Sequence, residues 1–144
     1  HRVHRRQRQM CIRDSFMVKT RALKVQNIAN ELPPTDVFGE KSGDLLILSW
    51  GGTQGACRSA TEALVNDGKK VSHIHLRWIN PLPNDLGELL IKFKHVLIPE
   101  INLGQLIKII RAEYLIDAIG LNKVKGKPIS SAEIQDKVKK ILEK

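Results

Sequence analysis

Residues 44–60 read DLLILSWGGTQGACRSA, an apolar run that stops at paired glycines just where a helix-forming segment begins. The unbroken sequence Leu45, Leu46, Ile47, Leu48 is what a strand covered on both faces requires, as in a parallel sheet. Gly51, Gly52 and Gly55 allow a tight turn and close helix packing. The amides that open the next helix, with those of Thr53 and Gln54, are expected to point beyond the sheet edge, where open α/β folds place ligands and partners.

Outward from this stretch the chain alternates between short apolar runs and helical periodicity. The strand at 44–49 leads to a helix at 53–66, with Gly68 as its stop. A strand at 71–78 leads to the turn Asn80, Pro81, Leu82, Pro83, and Asn84 is placed to cap a helix at 85–93. A strand at 95–99 runs through a loop at Asn102 into a helix at 103–115. A short strand at 118–124 is broken by Gly126 and Pro128, and Ser130 with Glu133 forms a capping box for a last helix at 131–142. This alternation predicts an α/β fold: a three-layer, doubly wound, mostly parallel sheet of about four or five strands.

Upstream, Val18, Ala22, Val25, Ile28 and Ala29 recur at helical spacing until Pro33 and Pro34, so 17–42 reads as a helix and linker. Residues 1–16, HRVHRRQRQMCIRDSF, show no periodicity and read as a disordered or artefactual basic arm. MCIRDS at 10–15 resembles translated sequencing-adapter sequence, which favours the second reading. The α/β domain proper is expected over 43–144.

At 144 residues a single domain buries about two thirds of its unfolded surface, enough for a core. The net charge of +9 is uneven, with +4 in the first sixteen residues and +5 over all the rest. Late lysines with few aromatics describe a solvated basic face better than a nucleic-acid groove. Cys11 and Cys57 share no ligand or disulfide spacing, which points to a reducing, cytoplasmic setting. No run approaches the ~20 apolar residues that span a bilayer, so no membrane partner is expected.

The turn at 51–55 matches neither the dinucleotide fingerprint nor a phosphate-binding loop, so tight packing competes with anion binding there. His73 and His75 share a strand face but lack a third ligand, and hydrogen-bonded strand histidines are the expectation. Arg77 could pair with a carboxylate or phosphate of a partner, or form a simple salt bridge at the sheet edge. Glu100, Asn102 and Gln105 surround Gly104 with acceptors and amides, but one carboxylate is not an acid–base pair. Cys57 falls inside a helix, where packing is the default. No catalytic set and no metal site can be assembled from these residues, and none is expected.

Five separated stretches in order carry a resemblance: MVKTRALKVQNIANELPP at 17–34, GDLLILSWGGTQGA at 43–56, KKVSHIHLRWINPLP at 69–83, VLIPEINLGQL at 96–106 and LNKVKGKP at 121–128. Together they resemble the C-terminal part of the alpha subunit of 2-oxoglutarate:ferredoxin oxidoreductase, among the 2-oxoacid:ferredoxin oxidoreductases. The resemblance implies a transketolase C-terminal-like domain of an enzyme that oxidatively decarboxylates a 2-oxoacid with coenzyme A, giving acyl-CoA, carbon dioxide and reduced ferredoxin. It implies thiamine diphosphate, Mg2+, an iron-sulfur cluster and coenzyme A in the complex, none held by this chain alone. The implied partners are a beta subunit, a second alpha subunit and ferredoxin. Gly51, Gly52, Thr53, Arg77, Asn80, Glu100, Asn102, Gly104 and Gln105 are the candidate cofactor-edge or interface positions. The competing class is a free-standing nucleotide- or nucleic-acid-binding module.

Overall fold

The computed structural model describes residues 2–143, with side chains described from Met10 onward. Two compact units result. One comprises residues 1–33 and 78–84, the other 34–77 and 85–144.

In the first unit, helix α1 (Arg2–Ile28) runs without a break through position 17, where the composition changes, and ends in a 3-10 turn at Ala29–Glu31. Met10, Ile12, Phe16, Val18 and Leu23 are all exposed, so the helix has no buried stripe over these residues. The side chains of Arg2, Arg5, Arg6 and Arg8, to which the basic-arm reading was attached, lie outside those described. Asn84, expected as a helix cap, instead donates from Nδ2 to Asn30 Oδ1 at 2.9 Å.

The second unit holds a five-stranded sheet in the order β1-β3-β2-β4-β5. Its strands are β1 (Val37–Phe38), β2 (Gly43–Trp50), β3 (Val71–Leu76), β4 (Phe93–Glu100) and β5 (Ile119–Asn122). All neighbours are parallel except β1, which pairs antiparallel with β3. The helices are α2 (Gln54–Asn66), α3 (Leu86–Leu90), α4 (Gln105–Tyr114) and α5 (Ser131–Leu142). β2 is central, and its run Leu45–Ser49 is completely buried, as an apolar strand covered on both faces must be.

Alternation along β2 divides the core. Leu45 and Ile47 meet Cys57, Ala60 and Leu64 of α2 and Ile134 and Val138 of α5 on one face. α3 and α4 pack against β4. The small Cys57 and Ala60 let α2 approach the sheet closely, and Gly68 (φ +76°) reverses the chain after it by donating its N–H to Val65 O. Ser130 Oγ accepts from Glu133 N while Glu133 Oε2 accepts from Ser130 N at 2.8 Å, so the expected capping box starts α5.

Boundaries moved where tertiary pairing overruled local pattern. β3 stops at Leu76 because its partner β2 ends opposite it at Trp50, leaving Arg77 and Trp78 outside the ladder. The helix expected at 85–93 is confined to Leu86–Leu90, since Phe93 is drawn into β4 opposite Gly43. Asp85, not Asn84, occupies the position before that helix, and its carboxylate accepts from the N–H and hydroxyl of Thr35.

Candidate functional site

The carboxyl ends of β2 and β4 deliver two loops side by side. After Trp50 the chain turns through Gly51–Thr53 in a 3-10 turn, Gly51 taking φ +59°, and Thr53 Oγ1 donates to Trp50 O at 2.9 Å to close it. After Glu100 the loop Ile101–Gly104 leads into α4. Trp50, Gly51, Gly52, Thr53, Glu100, Ile101 and Asn102 line a cleft of about 130 Å3 between these loops.

Glu100 forms the floor of this edge and is only 1% exposed. Its Oε1 accepts from Trp50 Nε1 at 3.2 Å and from Leu106 N at 2.8 Å, and its Oε2 accepts from Ile107 N at 3.1 Å. A carboxylate so placed satisfies first-turn amides of α4 and complements the positive end of the helix dipole. Its oxygens are committed to the fold. Asn102 Oδ1 accepts from Gly104 N at 2.7 Å and Gln105 N at 3.0 Å, and Asn122 Nδ2 holds Asn102 O at 3.1 Å. Gly104 sits at φ +83°, and a Cβ there would lie 2.8 Å from Asn122 Nδ2. Glycine is required at that point.

Gly52 and Gly55 behave differently. A Cβ on either would meet nothing within 4 Å, and neither has the positive φ that favours glycine. The close packing expected of them is absent from this chain, because α2 turns its Cys57 and Ala60 toward the sheet instead. On the loop after β4, Ile101 is 53% and Leu103 79% exposed. Ile101 thus borders the bare surface of Gly51 and Gly52, and Leu103 is exposed on the same loop.

Of the nine positions singled out in the sequence, Gly51, Gly52, Thr53, Glu100 and Asn102 line this cleft, and Gly104 and Gln105 close the same loop. Arg77 lines another cleft, and Asn80 belongs to the other compact unit, where it precedes Pro81 across a cis peptide bond. Trp50 and Ile101 join the lining without a motif to mark them, and Leu103 is exposed on the same loop. Isoleucine and leucine in an otherwise polar loop were the available signal.

The second cleft, about 80 Å3, lies between β1, β3 and α2 and is lined by Asp36, Phe38, Gln54, Arg58, His73, His75 and Arg77. Behind it Ser49 Oγ lies 2.7 Å from His73 Nε2 and 2.9 Å from His75 Nδ1. Register explains this meeting, since Ser49 stands opposite His75 and Ile47 opposite His73 on one face. Burial, with His75 and Arg58 nearby, lowers His73 to about 4, and burial beside Arg77 lowers His75. Both imidazoles are therefore neutral at neutral pH.

Among the described residues no group of three His, Cys, Asp or Glu could hold a metal ion. Cys57 is wholly buried, and burial pushes its thiol up to about 11, away from ligand or nucleophile chemistry. No helix among the described residues is long and apolar enough to cross a membrane.

No family model matches the chain. It is 39% identical over 83% of its length to the 2-oxoglutarate oxidoreductase subunit KorA of Mycobacterium tuberculosis, and 28% identical over 89% to a 2-oxoacid:ferredoxin oxidoreductase alpha subunit of Saccharolobus solfataricus. It spans 18% and 21% of those relatives, about a fifth of their length. Among solved structures, the 2-oxoglutarate:ferredoxin oxidoreductase of Magnetococcus marinus, with 2-oxoglutarate, coenzyme A and succinyl-CoA bound, superposes with a TM-score of 0.81 at 31% identity. That match covers 88% of this chain and 23% of the other. The alpha chain of a probable 2-oxoacid ferredoxin oxidoreductase from Thermoplasma acidophilum gives a TM-score of 0.53 at 26% identity over 76% of this chain and 97% of that one. A split-gene transketolase shares the fold at 19% identity with a TM-score of 0.59, over 78% of this chain and 43% of that one.

Proposed function

Because this chain is a 2-oxoacid:ferredoxin oxidoreductase alpha-subunit-like domain, we propose that it serves as one domain of a larger cytoplasmic oxidoreductase, bearing subunit contacts and not the reacting centre. On this reading residues 43–144 form a transketolase C-terminal-like domain, and 1–16 are no part of it. The assembly decarboxylates a 2-oxoacid, 2-oxoglutarate first, to acyl-CoA, carbon dioxide and reduced ferredoxin. The names of the 39% identical relative and of the 31% identical structure favour 2-oxoglutarate.

Thiamine diphosphate, Mg2+ and an iron-sulfur cluster would be held outside this chain, chiefly by a beta subunit. The described donors do not fit these groups: three metal-ligating side chains nowhere gather, and the lone cysteine of the sheet-bearing unit is sealed in its core.

The observation that carries the reading is the exposed Ile101 lining one cleft with Gly51 and Gly52, where a Cβ would meet open space, and the still more exposed Leu103 two residues along the same loop. An exposed apolar loop next to bare backbone suits a protein surface that comes close. Leu103→Asp and Gly52→Leu should leave the stability of the chain within about 0.5 kcal/mol, since neither position is packed. In the complete alpha/beta complex the same changes should lower recovery of the beta subunit about tenfold. Coenzyme A dependence of turnover, measured with Gln105→Ala alongside, reports whether this edge borders the substrate approach. Wild-type subunit recovery in both variants would overturn the interface.

A further inference from the structure

The second cleft carries a constellation that subunit packing at the other cleft does not use. Arg58 extends from α2 so that its guanidinium carbon lies 3.1 Å from the centroid of the Phe38 ring, while its Nε donates to Glu62 Oε1 at 2.9 Å. Ring and carboxylate fix the plane of the group. Its terminal nitrogens find no acceptor among the described residues, and neither does the exposed Arg77 at the end of β3. Asp36, also exposed, is the one acidic side chain in the lining.

Behind the guanidinium groups a buried hydrogen-bond chain reaches the cleft. Ser49 has one hydroxyl hydrogen, so it can donate to only one of the two imidazole nitrogens beside it. When Ser49 donates to His75 Nδ1, it accepts from His73 Nε2–H, and neutral His75 is left with its proton on Nε2. That nitrogen is the one not committed to Ser49. With Ser49 wholly buried and His73 only 3% exposed, no water replaces either partner cheaply, so the proton positions on the two imidazoles are linked through Ser49: Nε2–H on His73 goes with Nε2–H on His75.

We propose that this cleft is a binding site for a single oxyanion, a phosphate or carboxylate group of a small ligand, held by Arg58 and Arg77 with His75 Nε2–H as a neutral donor whose tautomer is linked through Ser49 to that of His73. Two guanidinium groups give the forked donors that such a group accepts. Asp36 at the rim opposes a second negative charge. The lowered His75 keeps the donor neutral near pH 7, so recognition there is by hydrogen bond and not by a third cation.

The test is a titration of the isotopically labelled full chain at neutral pH with inorganic phosphate and, separately, with acetate, following the histidine ring nitrogens and the amides of 49–58 and 73–77. A saturable shift confined to these groups, with His75 held as the Nε2–H tautomer, is expected. Phosphate or acetate binding the tighter identifies which source of the oxyanion the site takes. Arg77→Gln, at an exposed position, should weaken binding tenfold or more without altering the fold. Ser49→Ala should leave the charge unchanged yet release His75 into a mixture of tautomers and weaken binding several-fold. Shifts scattered over the lysines of α5, no saturation with either anion, or undiminished binding in Arg77→Gln would overturn the site.

Discussion

Glu100 shows how one residue can be conspicuous in the sequence and still have its part decided elsewhere. It lies at the end of β4, where a functional carboxylate would be sought, yet it is buried with three donors on its two oxygens. Glu100→Gln would set an amide NH2 against those donors and should cost about 1–3 kcal/mol in urea unfolding, with increased exchange of the Leu106 and Ile107 amides. Unchanged stability would mean that the first turn of α4 finds other acceptors. His73 is the second case. Its folded value of about 4 lies below the ordinary 6.5, so the unfolded chain binds the extra proton. Stability is therefore full above about pH 6.5 and falls as the pH drops toward 4, by roughly 3 kcal/mol at most, and levels off below that. The groups facing it are Ser49, His75 and Arg58. Unfolding free energies measured from about pH 7 down to pH 4 should lose this slope in His73→Gln.

Among the elements, α5 was legible to its ends because its signals are local: Ser130 and Glu133 are three residues apart and cap each other. Lys123 Nζ donates to Glu133 Oε1 at 2.8 Å from outside the helix, and that bond, with those from Ser130, holds Glu133 down at about 2. The lowered value means that the ionised cap contributes above the ordinary 4.5 and is lost as the pH falls through about 2. Lys123→Met should move the side-chain titration of Glu133 upward toward its ordinary value, as read by carbon NMR, with earlier fraying of α5 on acidification. An unmoved titration would assign the shift to Ser130 alone. β1 is the opposite case. Two residues, Val37 and Phe38, cannot display a period, and the strand exists only because the outer edge of β3 is free to pair with it. The linker expected there becomes the wall of the second cleft.

At the scale of the whole molecule, the sheet order brings together residues far apart in the chain, Trp50 with Glu100 on one side and Ser49 with His73 and His75 on the other. The chain covers about a fifth of its curated relatives and assembles no metal ligands among its described residues. The isolated 144-residue chain should accordingly give no 2-oxoacid-dependent ferredoxin reduction, in an assay where the complete alpha/beta complex does; turnover by the chain alone would refute the proposed division of labour. The sequence by itself determined the alternation of strands and helices, the buried central strand, the capping box and the glycine turn at the sheet's edge. Each is written in residues within a few positions of one another, where backbone sterics and local hydrogen bonds act. Only the tertiary structure decided that Glu100 is an internal cap, that Gly52 and Gly55 face open space, and that Ser49 links two histidines. Cross-strand register, helix approach and burial set those roles, and they depend on residues that the chain order keeps far apart.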